Sequence, residues 1–474
     1  MARLPTGSLP ADSLNCLSLL YWDSPAAMLR IIHQLTEAKT ELQRICNRIH
    51  DDQMVHKEAT VREVLHAVKR QGDQALVQYT ADFDRITLTS EQLRVTGAEL
   101  DAAYQQVSKP LLDAIHLACQ NIEAFHRQRL PKSWVTFESD GVVLGKRYTP
   151  VDRAGIYVPG GRAAYPSTVL MNAIPARVAG VSKIVMVTPP GPGLGVNPAV
   201  LVAAQVAGVT EIYRVGGAQA IAALAYGTET IPSVDVITGP GNVYVTLAKQ
   251  LVFGRVGIDS LAGPSEVLVI ADRHADPTHV AADLLAQAEH DPMAAAILIT
   301  PSASLAEAVA LEVEHQLTDH PRQTLTEKAI ANYGLAIVVD SLEQACELCN
   351  QFAPEHLQLE VGDPWDWLQY IRHAGAIFLG YSTPEAIGDY LAGPNHTLPT
   401  SGAARYASPL ATETFMKHSS LIQYSPAALE AVSGAIAALT QAEGLPSHGE
   451  SVRRRTQGQE SSLASGSDDK RDSV

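Results

Sequence analysis

Aromatic side chains are scarce in this chain of 474 residues: Phe, Trp and Tyr together make up 5% of it. Strand-rich sandwiches and barrels draw heavily on such residues. Their scarcity, beside plentiful Ala, Val, Leu and Ile in a 46% apolar composition, favours α/β layers. Basic charge is also short. Lys and Arg number 35 against 51 Asp and Glu, a formal net charge of −16. An acidic surface repels phosphate backbones, which excludes general nucleic-acid binding. The compact basic cluster Arg453, Arg454 and Arg455 reads as a solvated helix end. The five cysteines, at 16, 46, 119, 346 and 349, are odd in number and follow no framework spacing. That usage points to a reducing, cytoplasmic setting. Cys346 and Cys349 form a lone CxxC in a helical pattern, the mark of two buried thiols one turn apart rather than a metal site. No apolar run approaches a membrane span. The patch CLSLLYW at 16–22 has almost no basic flank, which argues against a secretory signal.

What is present is length and alternation. A chain of this size exceeds one ordinary core and implies two or more domains. Met28 opens MLRIIHQL, which looks like a natural start, so residues 1–27 read as an extension of uncertain origin and both Met1 and Met28 stand as candidate start sites. Residues 34–128 carry apolar positions at helical spacing. From 152 onward, short β-branched runs alternate with Ala-rich helices: IVMVTP, EIYRV and VDVIT, then EVLVIAD, AAILIT, LAIVVD, HLQLE and AGAIFLG. This alternation predicts parallel sheets with helices on both faces. The expected architecture is two incomplete Rossmann-like α/β/α units with helical arms at each end. The expected parts are a helical arm at 28–55, a first α/β domain from 56–152 with 265–395, a second at 153–264, a C-terminal arm at 396–453 completing a partner subunit, and a disordered tail at 454–474.

Several motifs carry possible chemistry. Gly160-Gly161, Gly216-Gly217 and Gly239-Pro240-Gly241 each follow an expected strand, so backbone N–H groups and helix N-termini could approach a phosphate. None is a GxGxxG, and tight-turn glycine remains an equal local reading. Gln287 and His290 in LLAQAEHD share a helix face at a spacing of three and could share a metal, although a polar helix end explains them as well. Glu355-His356 in APEHL offers a carboxylate and an imidazole base at an element junction. Asp389, Asn395 and His396 crowd a Gly/Pro-rich loop, which Asx-turns alone could account for. Glu443 and His448 in AEGLPSHGE read locally as a helix end with Gly and Pro stop signals.

Taken in order, GIYVPGG (155–161), VGGAQAIAALAYGTE (215–229), GPGNVYVT (239–246), AGPSEVLVIAD (262–272), LLAQAEHD (284–291), APEHL (353–357) and GDYLAGPNHTLPT (388–400) resemble the histidinol dehydrogenase family over roughly residues 28–453. The resemblance implies an NAD- and zinc-dependent oxidation of L-histidinol through the aldehyde to L-histidine, with two NAD. It places NAD at Tyr157, Gln219 and Asn242. It places one zinc per subunit at Gln287, His290, Asp389 and His448, the last reaching across a homodimer. Ser265, Glu355, His356, His396 and Glu443 would hold substrate beside those ligands, with His356 as base and Glu355 activating water. No cysteine falls at a matching position, which argues against a thiohemiacetal route. The alternatives are an NAD-dependent dehydrogenase of another small amino alcohol or polyol, and a non-catalytic NAD- or metal-binding protein.

Overall fold

The computed structural model describes residues 28–48, 53–160 and 164–456. The extension at 1–27, Gly161 and the tail from 457 lie outside the described residues. Contacts divide the chain into two compact units. Of the described residues, the first holds those up to Thr60, Ser260–Tyr390 and His396–Pro409; the second holds those of Val61–Asp259, Leu391–Asn395 and from Leu410 onward.

The first unit is built on a six-stranded sheet. Its order is Arg30–Ile32, Gly334–Val338, Ala295–Thr300, Glu266–Ala271, His356–Glu360 and Ala376–Leu379, with every pairing parallel. Successive side chains of a strand leave opposite faces. Val267, Val269 and Ala271 therefore pack with Val280, Leu284, Val309 and Val313 on one side. Leu268, Ile270, Leu357 and Leu359 pack with Leu42, Leu348 and Phe352 on the other. Both faces are covered, which is why these strands read as unbroken apolar runs. Cys346 and Cys349 are buried free thiols in the helix Leu342–Phe352.

The second unit carries a five-stranded parallel sheet, ordered Glu211–Arg214, Lys183–Thr188, Arg153–Tyr157, Val236–Thr238 and Gly257–Ile258. Helices Pro166–Ala179, Pro198–Ala207, Gly217–Tyr226 and Val243–Val252 connect its strands, giving the expected βα alternation. Asn197 caps its helix by accepting from Ala199 N–H at 2.9 Å. The same unit holds a three-stranded antiparallel sheet, Met416–Tyr424 beside Val142–Pro150 beside Trp134–Phe137.

Four features differ from the sequence reading. Arg30–Ile32, inside the expected helical arm, is an edge strand, because its apolar residues pair against Leu335–Ile337. Met416–Tyr424 is a nine-residue strand inside the expected C-terminal helical arm. KHSSLIQY lacks a buried alternating face, so it gives no period-2 signal. The helices between Val61 and Arg127 group with the sheet of the second unit, not with 265–395: Ile115, Cys119 and Ile122 pack on Ile174 and Val178. The helix Pro446–Thr456 carries the chain past 454, where a disordered tail was expected to begin.

Candidate active site

In the first unit, the helix Leu342–Phe352 ends at Ala353 with φ +56°. A left-handed conformation at a residue with a Cβ costs on the order of 1–3 kcal/mol, and such strain gathers at functional corners. After Pro354, Glu355 and His356 enter the strand His356–Glu360. The backbone of Glu266 on the neighbouring strand grips both. Its N–H donates to Glu355 Oε2 at 2.9 Å, and its carbonyl lies 3.0 Å from His356 Nδ1. Gln287 Nε2 also lies 3.1 Å from His356 Nδ1. A carbonyl can only accept, whereas an amide can turn, so Nδ1 carries the proton and donates to Glu266 O. That tautomer leaves the Nε2 lone pair free, and Nε2 is buried without a hydrogen-bond partner among the described residues. Burial holds the His356 pKa down at about 4, so the ring is neutral near pH 7 and able to accept a proton.

Carboxyl groups surround this ring. Glu355 Oε2 is 3.7 Å and Glu385 Oε1 3.8 Å from His356 Nδ1. Desolvation, then the charge of Glu266, pushes Glu355 well above the ordinary carboxylate range. Desolvation, then Asp389, does the same to Glu385. The counter-ion is Arg48, whose side chain is buried and lies 3.0 Å from Glu266 Oε1. Arg48 also donates to the carbonyls of Ile45, Pro264 and Met293. Removing one partner of such a pair strands a buried charge, at about 3–5 kcal/mol.

Gln287 is buried in the helix Pro277–Ala288. His290 lies past the helix end, not on its face: Glu289 is the C-cap, and His290 N–H turns back to Gln287 O at 3.2 Å. Helical spacing therefore does not position His290; this turn does. Asp389 sits on the short helix Glu385–Tyr390. His396 Nδ1 is 3.1 Å from Asp389 O and 3.8 Å from its carboxylate, and burial lowers the His396 pKa. Donor atoms of His356, Glu385 and Asp389 all lie within 4.8 Å of one another, close enough to hold a metal ion. Ser265 directly precedes the Glu266 strand and is half-buried. Asn395 does a structural job in the second unit, donating to Met171 O at 2.5 Å.

The remaining expected residues belong to the second unit. Tyr157 ends its strand, is buried, and accepts from Gly217 N–H at 3.2 Å through its hydroxyl. Burial pushes its phenol up to about 12. Gln219 is buried, and its Oε1 has no hydrogen-bond partner among the described residues. Asn242 is the N-cap of Val243–Val252, accepting from Tyr244 and Val245 N–H through Oδ1. Glu443 and His448 are exposed, the first at the end of Pro426–Ala442 and the second on Pro446–Thr456.

Sequence reasoning missed Glu385, Glu266 and Arg48. Glu385 stands four positions before Asp389 in PEAIGDY, a one-turn spacing that could have flagged it. Glu266 and Arg48 left no local signal, since only the sheet register and the N-terminal helix bring them together.

Parallel α/β units, Gly-rich βα turns, and a buried imidazole held neutral among carboxyls define an α/β enzyme equipped for proton abstraction. The sequence profile of histidinol dehydrogenase matches residues 47–456. Histidinol dehydrogenase 2 of Trichormus variabilis is 74% identical over 91% of this chain and 99% of its own. Histidinol dehydrogenase of Synechococcus sp. is 72% identical over the same shares. The crystal structure of histidinol dehydrogenase from Elizabethkingia anophelis superposes with a TM-score of 0.86 at 39% identity, over 92% of this chain and 99% of that one. The chain belongs to the histidinol dehydrogenase family, a family of oxidoreductases.

Proposed function

We propose that this enzyme oxidises L-histidinol through L-histidinaldehyde to L-histidine in a zinc-dependent, four-electron reaction with two NAD, the closing steps of histidine biosynthesis. The observation that carries the reading is His356: a neutral, buried imidazole with Nδ1 fixed on a backbone carbonyl and Nε2 free. A base of that kind suits removal of a hydroxyl proton at the moment a hydride leaves carbon. Glu355, beside it and shielded from water, has the raised basicity to activate a water for addition to the aldehyde. His396, Ser265 and Glu443 orient the remaining polar groups of the substrate. Holding the aldehyde between the two steps protects a reactive amino aldehyde from side reactions.

The donor set supports a metal. Gln287, His290 and Asp389 offer mixed N and O ligands that suit zinc or a similar divalent ion, and His448 of the partner subunit completes the set. When bound, zinc supplies a Lewis-acid anchor for the substrate's amine and imidazole. Glu385, with Asp389 and His356, adds a carboxyl to this neighbourhood. For the dinucleotide, the orphaned Oε1 of buried Gln219 fits a ligand donor. Asn242 keeps its Nδ2 outside the cap, and Tyr157 braces the Gly217 turn. NAD supplies the hydride acceptor, one molecule for each two-electron step.

A homodimer is supported by apolar side chains left open on the antiparallel sheet and C-terminal helices. Phe137 is 82%, Ile422 71% and Leu439 63% exposed. Exposed apolar groups on neighbouring elements mark an association surface. The test is NADH formed per L-histidinol consumed, before and after chelation and zinc return. Two NADH per substrate, lost on chelation and restored by zinc, is the expected result. One NADH with release of aldehyde would reduce the protein to a simple alcohol dehydrogenase, and no NADH would point to another amino alcohol or polyol.

A further inference from the structure

The Gly-rich turns of the second unit leave one role unfilled. In folds whose first βα turn is Gly-rich, an acid about 20 residues further on reads a ribose of the dinucleotide. Here the first such turn holds Gly160, and the chain has no Asp or Glu between Asp152 and Glu211. The strand placed to present that acid, Lys183–Thr188, runs instead into Pro189-Pro190-Gly191.

A carboxyl reaches the same end of the sheet by another route. The helix Asp73–Tyr79 packs along Gly217–Tyr226. Its first residue is clasped to the chain that leaves Gly217–Tyr226. Asp73 N–H donates to Glu229 Oε2 at 2.8 Å, and the Asp73 carboxylate accepts from Thr230 Oγ1. Its last residue leads into a wider, π-type turn, Thr80–Asp84, closed by Arg85 at φ +59°. Beyond that turn, Arg214 N–H donates to Leu93 O at 2.8 Å and Val95 N–H to Ile212 O at 2.9 Å. These bonds tie the chain to the strand Glu211–Arg214, which feeds Gly216-Gly217. Held at both ends, the segment runs back along Gly217–Tyr226 and brings Asp84 to the first turn of that helix. Desolvation, and after it the charge of Asp84, push up the phenol of Tyr157 there.

Three polar atoms at this turn lack partners among the described residues. Asp84 Oδ2 is buried and accepts nothing. Gln219 Oε1 is also unpartnered and lies 2.6 Å from where a Cβ on Gly217 would stand. Tyr157 accepts from Gly217 N–H, and its own hydroxyl proton has no acceptor. Two acceptors and one donor match a vicinal diol, whose hydroxyls both donate and accept. They do not match a phosphate, because the Gly217 N–H is taken and a carboxylate repels the anion. Resting on NAD as the hydride acceptor, we propose that Asp84, with Gln219 and Tyr157, grips the ribose diol of the dinucleotide's adenosine half and sets NAD above NADP. A 2′-phosphate on that ribose removes one hydroxyl donor and sets its charge against Asp84.

Equilibrium binding of NADH and NADPH to the full-length, zinc-loaded enzyme, without histidinol, tests this. The native protein should bind NADH on the order of 100-fold more tightly than NADPH. Asp84→Ala should weaken NADH binding about 10–100-fold, the size of a lost hydrogen bond to a charged acceptor. Asp84→Asn keeps an acceptor but not the charge, so it should weaken NADH less and tighten NADPH. Neither variant should lower the Tm at pH 7 without dinucleotide. Burial already holds the Asp84 pKa up, and Oδ2 has no protein partner to lose. If the native protein binds NADH but shows no preference, or both variants keep its affinity and preference, the role of Asp84 is overturned. A fall in Tm that accompanies the loss of binding makes Asp84 a structural residue and overturns it as well. A native protein that binds neither dinucleotide overturns instead the NAD reading on which the proposal rests.

Discussion

At the residue scale, the site turns on how one backbone unit holds two side chains. The N–H of Glu266 fixes Glu355, and its carbonyl fixes the His356 tautomer. If Nε2 is the base, His356→Asn should bind metal as the native enzyme does and keep its Tm, yet turn over about 10²–10⁴-fold more slowly. Metal content, melting curves and kcat measured together decide this, and near-native turnover would remove His356 from the role. The Glu–His dipeptide was legible in APEHL. Its environment was not, because Arg48 and Glu266 come from segments more than two hundred positions apart.

At the element scale, the Gly-rich turn before Val243–Val252 is held by a buried ion pair. Lys249 Nζ donates to Gly239 O at 3.0 Å and pairs with Asp259, whose other oxygen accepts from Gly239 N–H at 2.8 Å. Gly239 has φ +111°, and a Cβ there would meet Tyr157 O at 2.1 Å, so only glycine fits. Lys249→Met strands the Asp259 carboxylate and should cost about 3–5 kcal/mol by denaturant unfolding. Lys249→Met with Asp259→Leu should recover most of that stability, because a buried pair replaced as a whole is close to neutral. It should still show a raised KM for NAD, since Gly239 has lost both its anchors. An unchanged KM in the double variant would separate this turn from dinucleotide binding.

At the scale of the whole molecule, the exposed C-terminal helices pose the question of shared sites. His448 stands open on Pro446–Thr456. If it serves a partner subunit, His448→Ala and Gln287→Ala homodimers are each inactive, and mixing them should restore activity through heterodimers that contain one intact site. Activity of the mixture, with heterodimers confirmed by differential tagging, is the measurement. No rescue in confirmed heterodimers would count against a site completed across the interface.

The chain itself determined the layers. Parallel strands covered on both faces must be apolar throughout, so EVLVIA, AAILIT and KIVMVT announce themselves without a partner in view. The Gly-rich turns and the helix caps beside them, such as Asn197 and Asn242, are likewise local chemistry. Other features depended on tertiary structure. Met416–Tyr424 is a strand only because Val142–Pro150 supplies its hydrogen bonds; its own residues bury no face. Arg30–Ile32 is too short to show a period and becomes an edge strand only against Gly334–Val338. The sequence reading singled out none of the acids Glu266, Glu385 and Glu360. Burial alone, with a partner drawn from a distant segment, turns each into a group whose proton matters.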